Sequence, residues 1–364
     1  GGYRVFEQTV DTNIILLKKQ KPSLDHELKY VEVKSDVEDS IKYIQNNWQK
    51  MPQSKLSDNT WTLADDRILA IKEKIEKIGK PLKDWDVRIY FGIKTGYNEA
   101  FIIDTETRNK ILANCKTEEE RKRTEEIIKP VLRGRDIGRY YYQWAGMWLI
   151  LIPAGWTNQN RGPLTPEEFF RKTFPSLYEY FMEFSSVELH GRQKGLFTRD
   201  DQGDYWWELR HCDYYPEFEK EKIVWQRVTR EFRFCVVPAG IYILDSMAFL
   251  VGENLNYLVG VLNSKVIDFY VKSYVHEYGD SGFLLSNQYV ERIPIPPKSS
   301  DNEALFNQIE NLSKDIQKLK DENPQADTSY LEKEIDNTIY KLYGLTEEEI
   351  QLIEQATSTE IIEQ

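Results

Sequence analysis

The stretch 87–104, reading VRIYFGIKTGYNEAFIID, limits what this chain can fold into more than any other. Two β-suited runs, 87–91 and 99–104, flank a polar loop bounded in its first half by Gly92 and Gly96. Glycine, lysine, threonine and asparagine between such runs are turn chemistry, so the pattern predicts a β-hairpin. The loop places a cation (Lys94), a hydroxyl (Thr95), a ring (Tyr97) and an amide (Asn98) close together. Groups of these kinds reach phosphates and base edges. An ordinary exposed hairpin tip has the same composition, and the loop by itself leaves both readings open.

At 364 residues the chain has room for two or three domains with cores of their own. Its aromatic content, 13%, is enough to furnish binding surfaces as well as cores. No apolar run approaches a membrane span, and no signal-like start is present. Cys115, Cys212 and Cys235 are odd in number and widely spaced, which fits reduced thiols in a cytoplasmic setting. A net charge of −12 argues at first against a nucleic-acid partner. From Asp301 onward, however, 16 acids face 5 bases, so that stretch carries −11 and residues 1–300 only −1. The acidity belongs to the tail, which leaves the body free to present a basic face.

Along the chain, 3–6, 13–17 and 24–33 predict short strands. Ser35-Asp36-Val37-Glu38 fits a capping box opening a helix toward Asn47, and 51–59 is a polar connector. Thr62 to Asp65 caps a second helix, in which Ile68, Ile71, Ile75 and Ile78 recur at intervals of three and four before Gly79 stops it. A charged helix spans 117–128. Residues 140–143 and 147–152 predict a hairpin turning at Ala145-Gly146. Thr165-Pro166-Glu167-Glu168 opens a helix and another begins near Ser176. The segment 188–213 is loop-rich, strands return at 222–226, 232–237 and 241–244, and 254–270 reads as one helix. Prolines make 289–297 an extended exit. Two amphipathic helices follow at 301–320 and 329–342. Leu305, Ile309, Leu312, Ile316 and Leu319 stripe the first, and Leu331, Ile335, Ile339 and Leu342 the second. The break at Asn323-Pro324 predicts an antiparallel helical hairpin. The fold class is α/β in the mixed α+β sense, with antiparallel hairpins, packed helices and this C-terminal helical hairpin.

Catalytic signatures are missing. The glycine-rich phosphate loops, the Gly-x-Ser-x-Gly elbow, CxxC and HExxH are all absent, and His26, His190, His211 and His276 are scattered. Glu32-Val33-Lys34, with Asp25 or Asp11 upstream, has the form by which metal-dependent nucleases hold Mg²⁺. Alternating charge on a half-exposed strand gives the same three letters. Basic residues interleaved with aromatics say more. Arg133, Arg135 and Arg139 precede Tyr140, Tyr141 and Tyr142. His190, Arg192, Lys194 and Arg199 share a loop region with Trp206, Trp207, Arg210 and His211. Arg227, Arg230 and Arg233 straddle a turn between strands. Arginine forks onto phosphate or guanine, and aromatic faces stack on bases. The acids Asp200, Asp201, Asp204, Glu208 and Glu231 among them fit a solvated surface equally well, and composition leaves the two readings level.

Five segments, GIKTGYNEAFIID, IIKPVLRGRDIGRY, YWWELRHCDY, LVGVLNSKVIDFY and RIPIPP, stand in an order that resembles the TaqI-like C-terminal specificity domain. That domain is the target-recognition part of type IIG restriction-modification enzymes and related adenine-N6 DNA methyltransferases. The opening YRVFEQTVDTNIILLKK looks like the last strands of their methyltransferase domain. The closing LEKEIDNTIYKLYGLTEEEI is similar to their C-terminal helix, and IPIPP before a long helix also looks like type I specificity subunits. The Asn/Asp-Pro-Pro-Tyr/Phe motif that holds the flipped adenine has no counterpart here, and neither has the methyl-donor motif.

The resemblance thus implies a C-terminal fragment that carries no catalytic residue, cofactor site or metal site of its own. Its division would be 1–20, terminal strands of a methyltransferase domain; 21–85, a connecting helical segment; 86–297, the target-recognition domain; and 298–364, the helical hairpin. Its partners would be double-stranded DNA and the N-terminal methyltransferase domain. S-adenosylmethionine, and Mg if a nuclease domain is present, would serve the parent enzyme. Expected DNA contacts are Lys94, Thr95, Asn98, Arg133, Arg135, Arg139, Arg192, Lys194, Arg199, Arg210, Arg227 and Arg230, with Asp136 pairing Arg135. The alternative is a protein-interaction module of such a complex without direct base readout.

Overall fold

Short β runs separated by glycine, proline and polar turns form several small sheets here rather than one large one. The computed structural model describes residues 14–23, 25–33, 37–56, 66–186, 195–275 and 282–358. They fall into two units. The first takes the described residues up to Val87, 227–232 and those from Asn256 on; the second takes 88–226 and 233–255. The architecture is mixed α/β with largely antiparallel sheets. No helix among the described residues is long and apolar enough to cross a membrane.

The second unit holds two four-stranded sheets. One runs Phe234–Val237, Lys222–Gln226, Met247–Gly252, Val87–Phe91 in spatial order, with Phe234 opposite Trp225 and Phe249 opposite Val224. Its inner strands, KIVWQ and MAFLVG, are buried nearly throughout, as unbroken apolar runs require. The other runs Tyr242–Ile243, Ile128–Leu132, Met147–Ile150, Ile102–Asp104, parallel in its first pair and antiparallel in the rest. Helices Thr105–Ala113, Glu118–Glu126, Pro166–Thr173 and Pro175–Met182 complete the unit. The third of these starts at Thr165 as expected, and Thr165 and Glu168 cap it reciprocally. One apolar core joins both sheets and the helices, with Phe101, Leu149, Phe170, Phe181, Val224 and Phe249 fully enclosed.

The hairpin expected at 87–104 does not form. Val87–Phe91 and Ile102–Asp104 belong to different sheets. Asn98–Phe101 is instead a helical turn that drives Ala100 and Phe101 into the core, leaving only three residues of strand. The hairpin expected at 140–152 fails as well. Met147–Ile150 is paired on both sides by Ile128–Leu132 and Ile102–Asp104, so Tyr142 finds only a bridge to Ile137. Tyr140, buried and at φ 70°, turns the chain there and donates its N–H to the Phe234 carbonyl.

In the first unit Glu27–Tyr30 pairs antiparallel with Gln49–Pro52, so part of the expected connector 51–59 is strand. Helix Ser40–Asn46 is capped by Asp39 rather than from Ser35, which lies outside the described residues with Asp36. Helix Asp66–Ile78 buries Leu69, Ile71 and Ile75. Residues 14–17 of the expected strand 13–17 have no regular structure, and residues 3–6 lie outside the described range. The single helix expected at 254–270 is two, Leu255–Leu262 and Lys265–Lys272. Ser264 between them accepts the Ile267 N–H and caps the second. The exit 289–297 is only partly extended: Asn287–Val290 is a helical turn, and Pro294–Ile295 pairs with Lys80–Pro81.

Helices Glu303–Glu322 and Ser329–Leu342 form the expected hairpin, and a third helix, Glu347–Ser358, follows. The buried line of the first is Phe306, Ile309, Ser313 and Ile316: both isoleucines of the expected stripe hold, and Phe306 and Ser313 replace Leu305 and Leu312 one position along. Gly260 explains the shift: a Cβ there would lie 2.5 Å from the Ser313 oxygen, so the helices approach too closely for leucine at that point.

Candidate nucleic-acid interface

Glycine 92 opens the loop at 92–98 because a Cβ would lie 2.0 Å from the Leu244 carbonyl oxygen. Gly96 sits at φ 72°, a conformation that favours glycine, with its Cα facing Asp201 and Arg199. The loop divides its polar groups. Thr95 is 1% exposed; its hydroxyl donates to Asn98 Oδ1 at 2.6 Å and accepts the Tyr97 N–H at 3.2 Å. Lys94 and Asn98 reach the surface, and Lys94 pairs with Asp201 at 2.9 Å.

At 133–136 the sequence RGRD forms a single 3-10 turn. Asp136 receives the Arg133 backbone N–H at 2.8 Å and two guanidinium bonds at 2.9 Å each. It therefore pairs with Arg133, not with Arg135 as the sequence suggested, because three residues along a tight turn bring the two side chains together. That bond holds the Arg133 guanidinium above its ordinary pKa. Arg135 is left exposed, with no hydrogen-bond or ion-pair partner among the described residues. Arg139 is half-buried.

The loop 195–213 is built inward. Arg199 is 2% exposed and donates to four carbonyls: Thr95 at 2.9 Å, Leu196 at 2.8 Å, Glu208 at 2.6 Å and Trp206. Its guanidinium also lies 4.6 Å from the Phe101 ring. Burial pulls its pKa down to about 10, which leaves it charged at neutral pH. Glu208 is fully enclosed and accepts backbone N–H groups from Gly155, Thr157 and Asp204 at 2.8–3.1 Å. Trp207 stacks between Phe170 (4.7 Å) and Tyr205 (5.0 Å) and donates to the Thr157 hydroxyl. Arg210 comes back to the surface and pairs with Asp201 at 3.3 Å.

Of the expected contacts, the structure gathers Lys94 and Arg210 around Asp201, an acid outside that set, in the second unit. It puts Arg135 and Asn98 at that unit's surface and holds Thr95 and Arg199 inside. Arg227, half-buried, and Arg230, exposed, belong to the first unit. Arg192 and Lys194 lie outside the described residues, as does Lys34 of the Glu32-Val33-Lys34 triplet. Glu32 and Val33 themselves follow the strand rather than lie on it. Among the described residues no three His, Cys, Asp or Glu side chains are grouped to hold a metal ion. Asp201 was missed as anything but a solvated acid. The flanking Trp207 and Leu209 give no sign in the sequence that Glu208 is also enclosed, since alternation would turn it outward.

Residues 129–295 match the family model of the TaqI-like C-terminal specificity domain. No curated protein matches the chain. Among solved structures it is similar to the type IIL restriction-modification enzyme MmeI in complex with DNA. That likeness has 10% identity and a TM-score of 0.46, and covers 73% of this chain and 34% of the other. It is also similar to the type IIG restriction endonuclease BpuSI, with 12% identity and a TM-score of 0.41 over 82% of this chain and 36% of that one. The chain therefore spans 34–36% of the length of either enzyme. The matched residues take in the RGRD turn and the inward-built loop.

Proposed function

We propose that this chain is the DNA target-recognition part of a larger type IIG restriction enzyme or adenine-N6 DNA methyltransferase. The family match over 129–295 carries the reading. The surface of the second unit is consistent with it. Arg135 stands clear on a turn locked by the Arg133–Asp136 fork, an arrangement suited to a guanine edge or a phosphate. Lys94, Asn98 and Arg210 add two cations and an amide on the same unit.

In this reading phosphate contacts fix the register on the duplex and side chains from the loops read bases. The missing N-terminal methyltransferase domain binds S-adenosylmethionine and receives the target adenine, which the recognition domain positions for extrusion. Mg²⁺ enters only if the parent also carries a nuclease domain, and the setting is the cytoplasm. The chain itself transfers no methyl group.

A salt titration of duplex binding by the whole chain tests this. A DNA reader loses affinity steeply as salt rises and prefers one short word over scrambled ones. Binding that is absent or indifferent to salt contradicts the proposal and favours a protein-interaction module. A methyl-transfer assay on the chain should be silent.

A further inference from the structure

The two cations of the 92–98 and 199–210 loops do not face solvent as a bare pair. Asp201 gives one carboxylate oxygen to each, Oδ2 to Lys94 at 2.9 Å and Oδ1 to Arg210 at 3.3 Å. Both cations are about half exposed, while the Asp201 side chain keeps only 22% of its surface. We infer that Asp201 is a positioning residue that occupies, in the DNA-free protein, the place of a phosphodiester phosphate between Lys94 and Arg210, and thereby limits sequence-independent affinity for DNA. The inference rests on the reading that the second unit binds duplex DNA.

The segment that carries this carboxylate is fixed by its neighbours. Gly96, at φ 72°, brings its loop against Asp201, where an added Cβ would lie 2.9 Å from the Asp201 Cβ. Two residues earlier Arg199 ties the same segment to the Thr95 carbonyl at 2.9 Å. The Asp201 charge also favours the buried Arg199 guanidinium, but its two half-exposed ion pairs add little to stability. A phosphate offers the same charge sign and the same two-oxygen geometry. Sequence-independent binding is made almost wholly of such phosphate contacts, so an internal anion on two of the cations weakens that term directly.

The test is duplex binding by the full chain against a scrambled sequence across a range of salt. Asp201→Asn keeps the side-chain shape and removes the charge. It should bind roughly three- to tenfold tighter at low salt, with a salt slope steeper by about 0.9 for each phosphate gained. Adding Lys94→Gln and Arg210→Gln to Asp201→Asn should abolish the gain. Unchanged or weaker binding by Asp201→Asn, or a gain that survives loss of both cations, overturns the inference alone. A wild-type chain without salt-dependent duplex binding overturns both the inference and the function beneath it. Should Asp201→Asn fail to fold, Lys94→Gln/Arg210→Gln decides: a loss under about threefold supports neutralised cations, and one above about tenfold contradicts them.

Discussion

The turn at 133–136 and the loop at 195–210 use the same vocabulary, arginine among acids and aromatics, to opposite ends. In the turn a carboxylate binds one arginine and leaves its neighbour exposed: Asp136 takes Arg133, and Arg135 projects. In the loop the arginine is the one enclosed. Arg199 gathers four backbone carbonyls, and Glu208 gathers three backbone N–H groups, with Trp207 packed beside them. A buried arginine whose hydrogen bonds all go to backbone carbonyls is a cross-brace for a segment with little regular secondary structure. It does for this loop what strand ladders do elsewhere. A basic-aromatic cluster can thus be the scaffold of a loop as readily as its exposed surface.

The largest effect should come from breaking the brace. Arg199→Met leaves four buried carbonyls without their donor and should cost about 3–5 kcal/mol of unfolding free energy in a urea titration. A cost below about 1 kcal/mol, the range of surface changes, would show that the loop does not depend on it. Glu208→Gln keeps the shape and one oxygen acceptor, so the loss should be smaller, about 2–3 kcal/mol, in the same titration.

Lys222 sharpens the contrast from the other side, because its buried charge lacks a network. It is fully enclosed, gives one bond to the Pro238 carbonyl at 3.1 Å, and burial depresses its pKa to about 8. Its pKa is lower folded than unfolded, so the unfolded chain binds more protons between pH 8 and about 10.5, and stability rises with pH across that window. The rise is on the order of 3 kcal/mol at most. Lys222→Met should stabilise the protein at neutral pH and flatten the rise, as thermal melts at pH 7 and pH 10 would reveal; an unaltered pH profile contradicts the assignment.

Arg135→Ala should do least to the fold, within about 0.5 kcal/mol, since nothing among the described residues holds that side chain. Its effect belongs to binding. If Arg135 touches a phosphate, affinity falls uniformly and the salt slope shrinks by about 0.9; if it reads a base, discrimination relaxes at one position by about 1–3 kcal/mol. No change in either would remove Arg135 from the interface.

What the sequence made legible follows from the range over which each signal acts. Caps and periodicity are local, so the helix starts at Thr117 and Thr165 and the hairpin of 303–322 and 329–342 were readable. Strands 222–226 and 234–237 were readable as apolar runs. Pairing is not local. Nothing near Phe91 or Ile102 tells that they join separate sheets, and nothing near Tyr142 tells that both edges of Met147–Ile150 are already taken. At the candidate site the residue types were visible and their burial was not. Thr95 and Arg199 stand beside Lys94 and Arg210 as polar loop residues in the sequence, yet the first two are buried and the other two exposed.

If the chain selects a DNA word, a library of random duplexes passed over the whole chain at moderate salt, with the retained pool sequenced, should show it. One short word should be enriched in that pool, with retention lost as salt rises. Retention without an enriched word, or no retention at all, contradicts it.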